Sequence, residues 1–323
     1  MIEARNLSKS FGNIPAVSNI SFTVQEGETV VLLGTSGCGK TTTLKMINRL
    51  IEPDRGVVLI NGKDSAAQAP ELLRRQMGYV LQDIGLFPHY TIAENIAVVP
   101  DLLGWDKTKT RSRAEVLLGK FHLSPETYLP LYPDQLSGGQ RQRVGFARAL
   151  MANPPIILMD EPLGALDPIT RHQIRKEFTQ LDELNGKTIV MVTHDIPEAF
   201  ELGDRICLMD KGKIQQVGTA AELLLHPGND FVRDFFASNK FQLLLGALKI
   251  KDILPAIPRL EPYHPDGEAM LSSDADILEA IERLSVLKAK ERTIVISEEN
   301  SGQYYRLGIG ELLDAFHQKI NQA

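Results

Sequence analysis

The sequence predicts an α/β protein with a helical insertion in its core and a small α+β domain at its C-terminal end. Three observations predict it. Residues 29–33, 77–81, 156–160 and 188–193 are short, mainly apolar runs separated by helical patterns, the signature of strands buried on both faces of a largely parallel sheet. Residues 86–150 read as a helical insertion, with no convincing strand. Residues 250–323 return to short strands and helices in the order strand, helix, strand, strand, helix, and carry 8 Lys+Arg against 13 Asp+Glu, a balance of −5.

In chain order, residues 1–28 read as short strands and turns. Val17, Ile20, Phe22 and Val24 alternate partly, as on a half-buried strand, and Phe11 precedes Gly12. The π face of Phe11 suits stacking on a base; on these residues alone a hydrophobic anchor is the better reading. The turn Glu26-Gly27-Glu28 leads into the strand Val30-Val31-Leu32-Leu33, and then Gly34-Thr35-Ser36-Gly37-Cys38-Gly39-Lys40-Thr41-Thr42 opens a helix with Leu44, Ile47 and Leu50 facing one way. Strand, G-x-x-x-x-G-K-[ST], helix is a phosphate-binding loop. Glycines 34, 37 and 39 let the backbone turn tightly and aim N–H groups at phosphate oxygens, and the helix start adds its positive dipole end. Lys40 reaches the outer phosphates, and the Thr41 hydroxyl suits Mg2+.

Pro53-Asp54-Arg55-Gly56 stops the helix, and residues 57–62 read as a strand entering an Asn61-Gly62 hairpin. A short helix over 71–75 precedes the strand 77–81, which ends at Gln82, where α/β sheets place ligand groups. The apolar loop Leu86-Phe87-Pro88-His89-Tyr90 is followed by Thr91-x-x-Glu94, a capping box. Leu136-Ser137-Gly138-Gly139-Gln140 opens another helix with Val144, Ala147 and Leu150 on one face. Ser137 and Gln140 form a capping box too, but a cap alone does not need two glycines, each costing roughly 1 kcal/mol in helix propensity. Bare amides at a helix start suit a phosphate.

The strand 156–160 ends in Asp160-Glu161. At that sheet edge Asp160 suits Mg2+ and Glu161 suits polarising an attacking water. Asp167 reads as a helix N-cap. The strand 188–193 ends at His194 on the same edge, residues 206–217 form a hairpin around Lys211-Gly212, and residues 221–237 are helical with a break at Pro227-Gly228.

Composition excludes some classes. No run of roughly 18 apolar residues exists, so no transmembrane helix is expected, and Met1-Ile2-Glu3-Ala4-Arg5 lacks a signal-peptide pattern. The expectation is a cytoplasmic protein whose membrane role comes through partners. The formal charge is −6, with no basic patch suited to nucleic acid. Cys38 and Cys207 form neither a disulfide framework nor a metal spacing. Cys207 reads as a small core residue, and a reagent on Cys38 is expected to block nucleotide binding by bulk.

Assembled, residues 1–237 resemble the nucleotide-binding subunits of ABC transporters. Residues 34–41 look like Walker A, 156–160 Walker B, and 136–140 the signature. Gln82 matches the Q-loop, residues 164–167 the D-loop (Gly164 where Ser is usual), and His194 the switch histidine. The resemblance implies an ATPase using ATP and Mg2+, with Phe11 stacking on adenine, Glu161, His194 and Gln82 in catalysis, and Thr41, Asp160 and Gln82 at the metal. It implies a homodimer in which Ser137, Gly138, Gly139 and Gln140 contact the nucleotide of the other copy, with Asp167 in the D-loop. Residues 41–50, 82–96 and 99–105 further resemble the osmoprotectant importers for glycine betaine, choline, carnitine and proline. The implied partners are transmembrane permease subunits, touched by loop 83–93, and through them an extracytoplasmic solute-binding protein. The implied place is the cytoplasmic face of the membrane. An importer ATPase for another small solute such as an amino acid, or a non-transport ABC ATPase, is the alternative.

The expected boundaries are an ATPase domain over 1–237 with its helical subdomain at 86–150, a linker over 238–249, and a domain over 250–323 that resembles a single CBS module, regulatory or dimerising. Gly310-Glu311 and Leu312-Leu313 depart from that module's nucleotide-contacting pattern.

Overall fold

Two strands, β1 (Ile2–Phe11) and β2 (Ile14–Val24), form an antiparallel pair whose inward side chains include Leu7, Ile20, Phe22 and Val24. The computed structural model describes residues 1–260, 270–287, 293–298 and 303–321. Next come β3 (Thr29–Gly34), with Val30 to Leu33 fully buried, and α1 (Lys40–Ile47). Leu44 and Ile47 face the core as expected. Leu50 does not: the helix ends at Ile47 and Leu50 is 47 % exposed, because Asn48 and Arg49 turn the chain away, Arg49 at φ 54. The strands β4 (Arg55–Ile60) and β5 (Lys63–Asp64) close a hairpin whose Asn61 and Gly62 both hold positive φ, the pairing a two-residue turn requires. With β1 and β2 they make a four-stranded sheet in the order β2-β1-β4-β5.

After α2 (Pro70–Arg75) and β6 (Met77–Val80) the chain leaves the sheet for four helices: α3 (Ile92–Leu102), α4 (Lys107–Lys120), α5 (Pro125–Tyr128) and α6 (Gly138–Leu150). It returns as β7 (Ile156–Asp160), α7 (Pro168–Thr179), β8 (Thr188–Thr193), α8 (Ile196–Leu202), β9 (Arg205–Asp210) and β10 (Lys213–Gly218). The main sheet runs β10-β9-β3-β8-β7-β6, with β9, β3, β8, β7 and β6 parallel. Registers such as Val31↔Met191 and Val31↔Ile206 align β3 with β8 and with β9, while β7 ends with Asp160↔Val192. Side chains just past those ends share one edge, where such sheets bind ligands. The helices attach through packed rings: Phe146 of α6 stacks 6.0 Å from Phe121 and lies tilted 5.4 Å from Phe178 of α7.

The chain divides into two compact units, Met1–Val217 and Gly218–Ala323. This boundary differs from the one expected near residue 237. The helices α9 (Ala220–Leu225), α10 (Asp230–Phe236) and α11 (Lys240–Ala247) belong with the tail, because α9 packs on α11 and α11 on α12 (Ile277–Val286). The tail's sheet pairs β11 (Arg259–Leu260), β12 (Met270–Ser272), β13 (Thr293–Glu298) and β14 (Gln303–Gly308) in the order β11-β14-β13-β12, with β12 and β13 parallel, and α13 (Ile309–Asn321) follows. Leu312 is fully buried and Glu311 caps the helix by accepting from Gly308 N at 2.8 Å. The turn expected over 299–302 lies outside the described residues.

Candidate active site

The glycine-rich loop between β3 and α1 floors a cleft of about 440 Å³ lined by Ala16, Ser36, Gly37, Gly39, Lys40, Thr41, Thr42, Gln82, Glu161 and His194. Two glycines are required by space as well as by conformation. Gly34 has φ 155 and a Cβ there would stand 2.2 Å from Met209 O; Gly39 has φ 105 and its Cβ would stand 2.4 Å from Ala16 O. The loop therefore lies directly against neighbouring backbone, and only glycine fits.

Lys40 is 4 % exposed, yet no carboxylate among the described residues pairs with it. Its ammonium donates to Gly34 O at 2.8 Å and Thr35 O at 2.9 Å, so the loop's carbonyls hold the charge in place above their own amides. A cation so held, beside a run of amide donors, is an anion site. Thr41 Oγ1 donates to Asp160 Oδ1 at 2.8 Å, which brings the helix start and the end of β7 together. Burial pushes the Asp160 carboxyl up; the Thr41 bond and the charges of Lys45 and Lys40 work against it.

Glu161 follows Asp160 with a left-handed backbone, φ 45, an uncommon conformation for this residue type. Its amide donates to Val192 O at 2.9 Å, and its carboxylate faces the cleft between two polar groups. Oε2 lies 3.2 Å from His194 Nδ1 and 3.4 Å from Gln82 Nε2. Three residues that the sequence placed at the ends of three different strands thus meet at one oxygen. A carboxylate held by two neighbours, open to the cleft and close to the phosphate loop, can accept a proton from a water.

The other predicted residues fall elsewhere. Gly34, Thr35 and Cys38 belong to the loop but do not line the cleft: Gly34 and Cys38 are buried, and Thr35 is exposed. Cys38 is 3 % exposed and burial pushes its thiol up, so a reagent has little access to the thiol whose labelling is expected to block nucleotide binding by bulk. Phe11 sits at the β1–β2 turn, 51 % exposed, outside the cleft lining. None of Ser137, Gly138, Gly139, Gln140 and Asp167 lines the cleft either. Ser137 caps α6 reciprocally with Gln140, whose Nε2 also donates to Tyr128 Oη at 2.9 Å. Gly139 has a packing reason besides: a Cβ would stand 2.8 Å from Thr170 Cγ2. The amides of Gly138 and Gly139 stand in the first turn, where no helical carbonyl accepts from them. Asp167 caps α7, accepting from Ile169 N and Thr170 N at 3.2 and 3.1 Å.

Sequence reasoning missed Ala16 in the cleft wall and the buried Glu198 at the end of β8. Glu198 is 2 % exposed, and its Oε2 accepts from Thr193 Oγ1, which in turn accepts from Asp195 N at 3.0 Å. Glutamate in an ordinary helix start carries no sign of burial; only its place against the end of β8 does.

The family model described as "ABC transporter" matches residues 17–164. The chain is 45 % identical over 301 residues to the glycine betaine/carnitine/choline transport ATP-binding protein OpuCA of Bacillus subtilis, covering 93 % of this chain and 76 % of that protein. It is 48 % identical over 286 residues to the osmoprotectant import ATP-binding protein OsmV of Salmonella typhimurium, covering 86 % and 75 %. Among solved structures it is similar to the ATP-binding cassette MJ0796, a dimer in a post-hydrolysis state bound to ADP and Pi. That similarity has a TM-score of 0.61 and 36 % identity over 68 % of this chain and 98 % of that one.

Proposed function

The chain belongs to the ABC transporter family, and on that premise we propose that it is the ATP-hydrolysing subunit of an importer for osmoprotectants of the quaternary-amine class. It is an ATPase of the P-loop α/β fold. The observation that carries the mechanism is the meeting of Gln82, Glu161 and His194 over the phosphate loop, with Ser137-Gly138-Gly139 outside that cleft. Each chain then holds most of a site and lacks one part. A head-to-tail homodimer supplies it, with the first-turn amides of one copy's α6 facing the phosphate held by the other.

Within the site, Lys40 and the loop amides bind and orient the phosphates. Glu161 accepts the proton of the attacking water, and His194 and Gln82 hold its carboxylate at the angle that faces the cleft. The donors available to Mg2+ are oxygens: Thr41 Oγ1, Asp160 Oδ1 and the Gln82 amide oxygen. Among the described residues no group of three or more His, Cys, Asp or Glu is placed to hold a metal ion by itself. When bound there, Mg2+ neutralises charge on the phosphate oxygens.

Loop 83–93 is read as the permease contact. Phe87 and Tyr90 are 48 % and 47 % exposed with rings 5.3 Å apart, and buried Asn95 holds the loop by accepting from Phe87 N at 2.7 Å and donating to the carbonyls of Phe87, Tyr90 and Thr91. Exposed aromatics on a fixed loop suit a docking surface. Among the described residues no helix is long and apolar enough to cross a membrane. On this reading the chain is held at the cytoplasmic face through the permease. A solute-binding protein delivers to the permease from the other side. The tail, in the order β12-α12-β13-β14-α13, is a CBS-like module with a regulatory or dimerising role.

Removing this chain from its host and measuring uptake of labelled glycine betaine, choline, carnitine and an amino acid at high osmolarity tests the reading. Loss confined to the quaternary amines is the expected result; loss confined to the amino acid refutes the substrate class, and no loss at all refutes the transport role.

A further inference from the structure

Between Gln82 and the aromatic loop the chain makes an unusual turn. Ile84 N donates to Leu81 O at 3.0 Å, and the next two residues, Ile84 and Gly85, both hold left-handed backbones, φ 57 and φ 58. A β-branched residue in that region is sterically disfavoured and persists only where its surroundings impose it. Two features of α6 face this turn. Arg148 Nη2 donates to Ile84 O at 2.7 Å and Nη1 to Gly85 O at 2.6 Å, so the fork of one guanidinium grips the carbonyls of both left-handed residues. One turn earlier Gly145 leaves a notch: a Cβ there would stand 3.1 Å from Ile84 Cγ2. Among the described residues no carboxylate pairs with Arg148, and burial pulls its guanidinium below the usual range. Its hydrogen-bonding is directed at main chain.

We propose that Arg148 and Gly145 form a two-point latch that imposes the Ile84-Gly85 turn, sets Gln82 beside Glu161, and ties that loop to the helix whose first turn is Ser137-Gly138-Gly139. Arg148 is a positioning residue: it does not line the cleft, and acts through the loop. The latch makes loop 83–93 and the start of α6 move as one body. A displacement at the exposed aromatics is thereby carried to the amides that face the other copy's nucleotide, and to Gln82 within the same chain. The geometry needs an arginine, since a lysine ammonium presents no planar fork to two adjacent carbonyls. It needs a glycine at 145, since the methyl of alanine fills the notch that seats Ile84.

The latch rests on the ATPase reading for its consequence, but its existence can be measured apart from activity. In the full-length protein, Arg148→Met, Arg148→Lys and Gly145→Ala are compared with the parent by amide hydrogen exchange and by steady-state ATPase kinetics. The expected result is lost protection at the amides of 84–87 with α6 amides unchanged, together with a fall in kcat of about 10-fold or more, since misplacing a positioned group by an ångström costs up to about 100-fold. KM for ATP stays within about twofold, because the phosphate loop is untouched. In the Arg148→Met background, Ile84→Asn recovers part of kcat, since Asn tolerates a left-handed backbone. Unchanged exchange at 84–87 in all three variants overturns the proposal. So does protection lost along the whole of α6, which is the result of a merely structural arginine. A parent chain that fails to hydrolyse ATP refutes the ATPase reading while the exchange arm still decides the latch.

Discussion

Replacing Glu198 by glutamine should stabilise the protein above neutral pH. The carboxyl is 2 % exposed, one oxygen accepts from Thr193 Oγ1 and the other has no hydrogen-bond partner. Burial pushes its pKa from 4.5 up to about 7; Asp195 adds to the rise, while the Thr193 bond, Arg171 and Arg175 oppose it. Arg171 also faces Asp195, and Arg175 faces Glu201, so neither cation is free to neutralise it alone. Because the folded pKa lies above the unfolded one, the folded state holds the extra proton between pH 4.5 and about 7. Stability therefore falls as pH rises through that window and levels off above it. The shift corresponds to about 3 kcal/mol of ionisation cost at pH 8. Glutamine keeps an acceptor for Thr193 and carries no charge, but leaves an unpaired amide N–H costing about 1 kcal/mol. The net gain at pH 8 is about 2 kcal/mol, or about 4–8 °C in the melting of a unit this size. The sign reverses at about pH 5, where the ionisation cost has fallen to that of the unpaired amide, and below it the variant melts lower. Thermal melts of both proteins from pH 4 to 8.5 check this: curves that stay parallel throughout refute the reasoning.

Glu161→Gln keeps the contacts with His194 and Gln82 but cannot take a proton, so it should accumulate as an ATP-bound dimer by light scattering; a monomer with ATP bound counts against the half-site arrangement. Cys38 should react with a disulfide reagent at least about 100-fold more slowly in the folded chain than in denaturant, because thiolate character and access are both low; fast labelling that ATP suppresses would place the thiol on the cleft instead. Gly39→Ala should abolish nucleotide binding, since its Cβ would meet Ala16 O at 2.4 Å, whereas Gly37→Ala, with open space around its Cβ, should bind more weakly without losing the site. Titration with a fluorescent ATP analogue separates the two, and equal losses would show that φ alone decides.

Which residues form the site was readable where the chemistry is local. The phosphate loop is contiguous, and its strand, turn and helix are each specified by residues a few positions apart. Gln82, Glu161 and His194 could be placed by a general rule, that polar residues just past parallel strands share one sheet edge. The capping boxes at Thr91 and Ser137 were equally local, each closing within three residues. Leu50 escaped because periodicity carries on past a helix end that a left-handed Arg49 imposes. The domain boundary escaped because α9 and α10 look alike in sequence whichever unit they pack on.

By itself, then, the sequence determined the fold class, the glycine-rich loop and the set of side chains that meet over it, because these follow from short-range geometry and from strand order. Only the tertiary structure decided that Cys38 is buried within its loop, that Glu198 is buried against Thr193 with its carboxyl pushed up, and that Arg148 grips a turn 63 and 64 residues away. The reason is common to all three. Burial and long-range hydrogen bonds depend on which distant surfaces close over a residue, and neither the residue nor its neighbours in sequence carries that information.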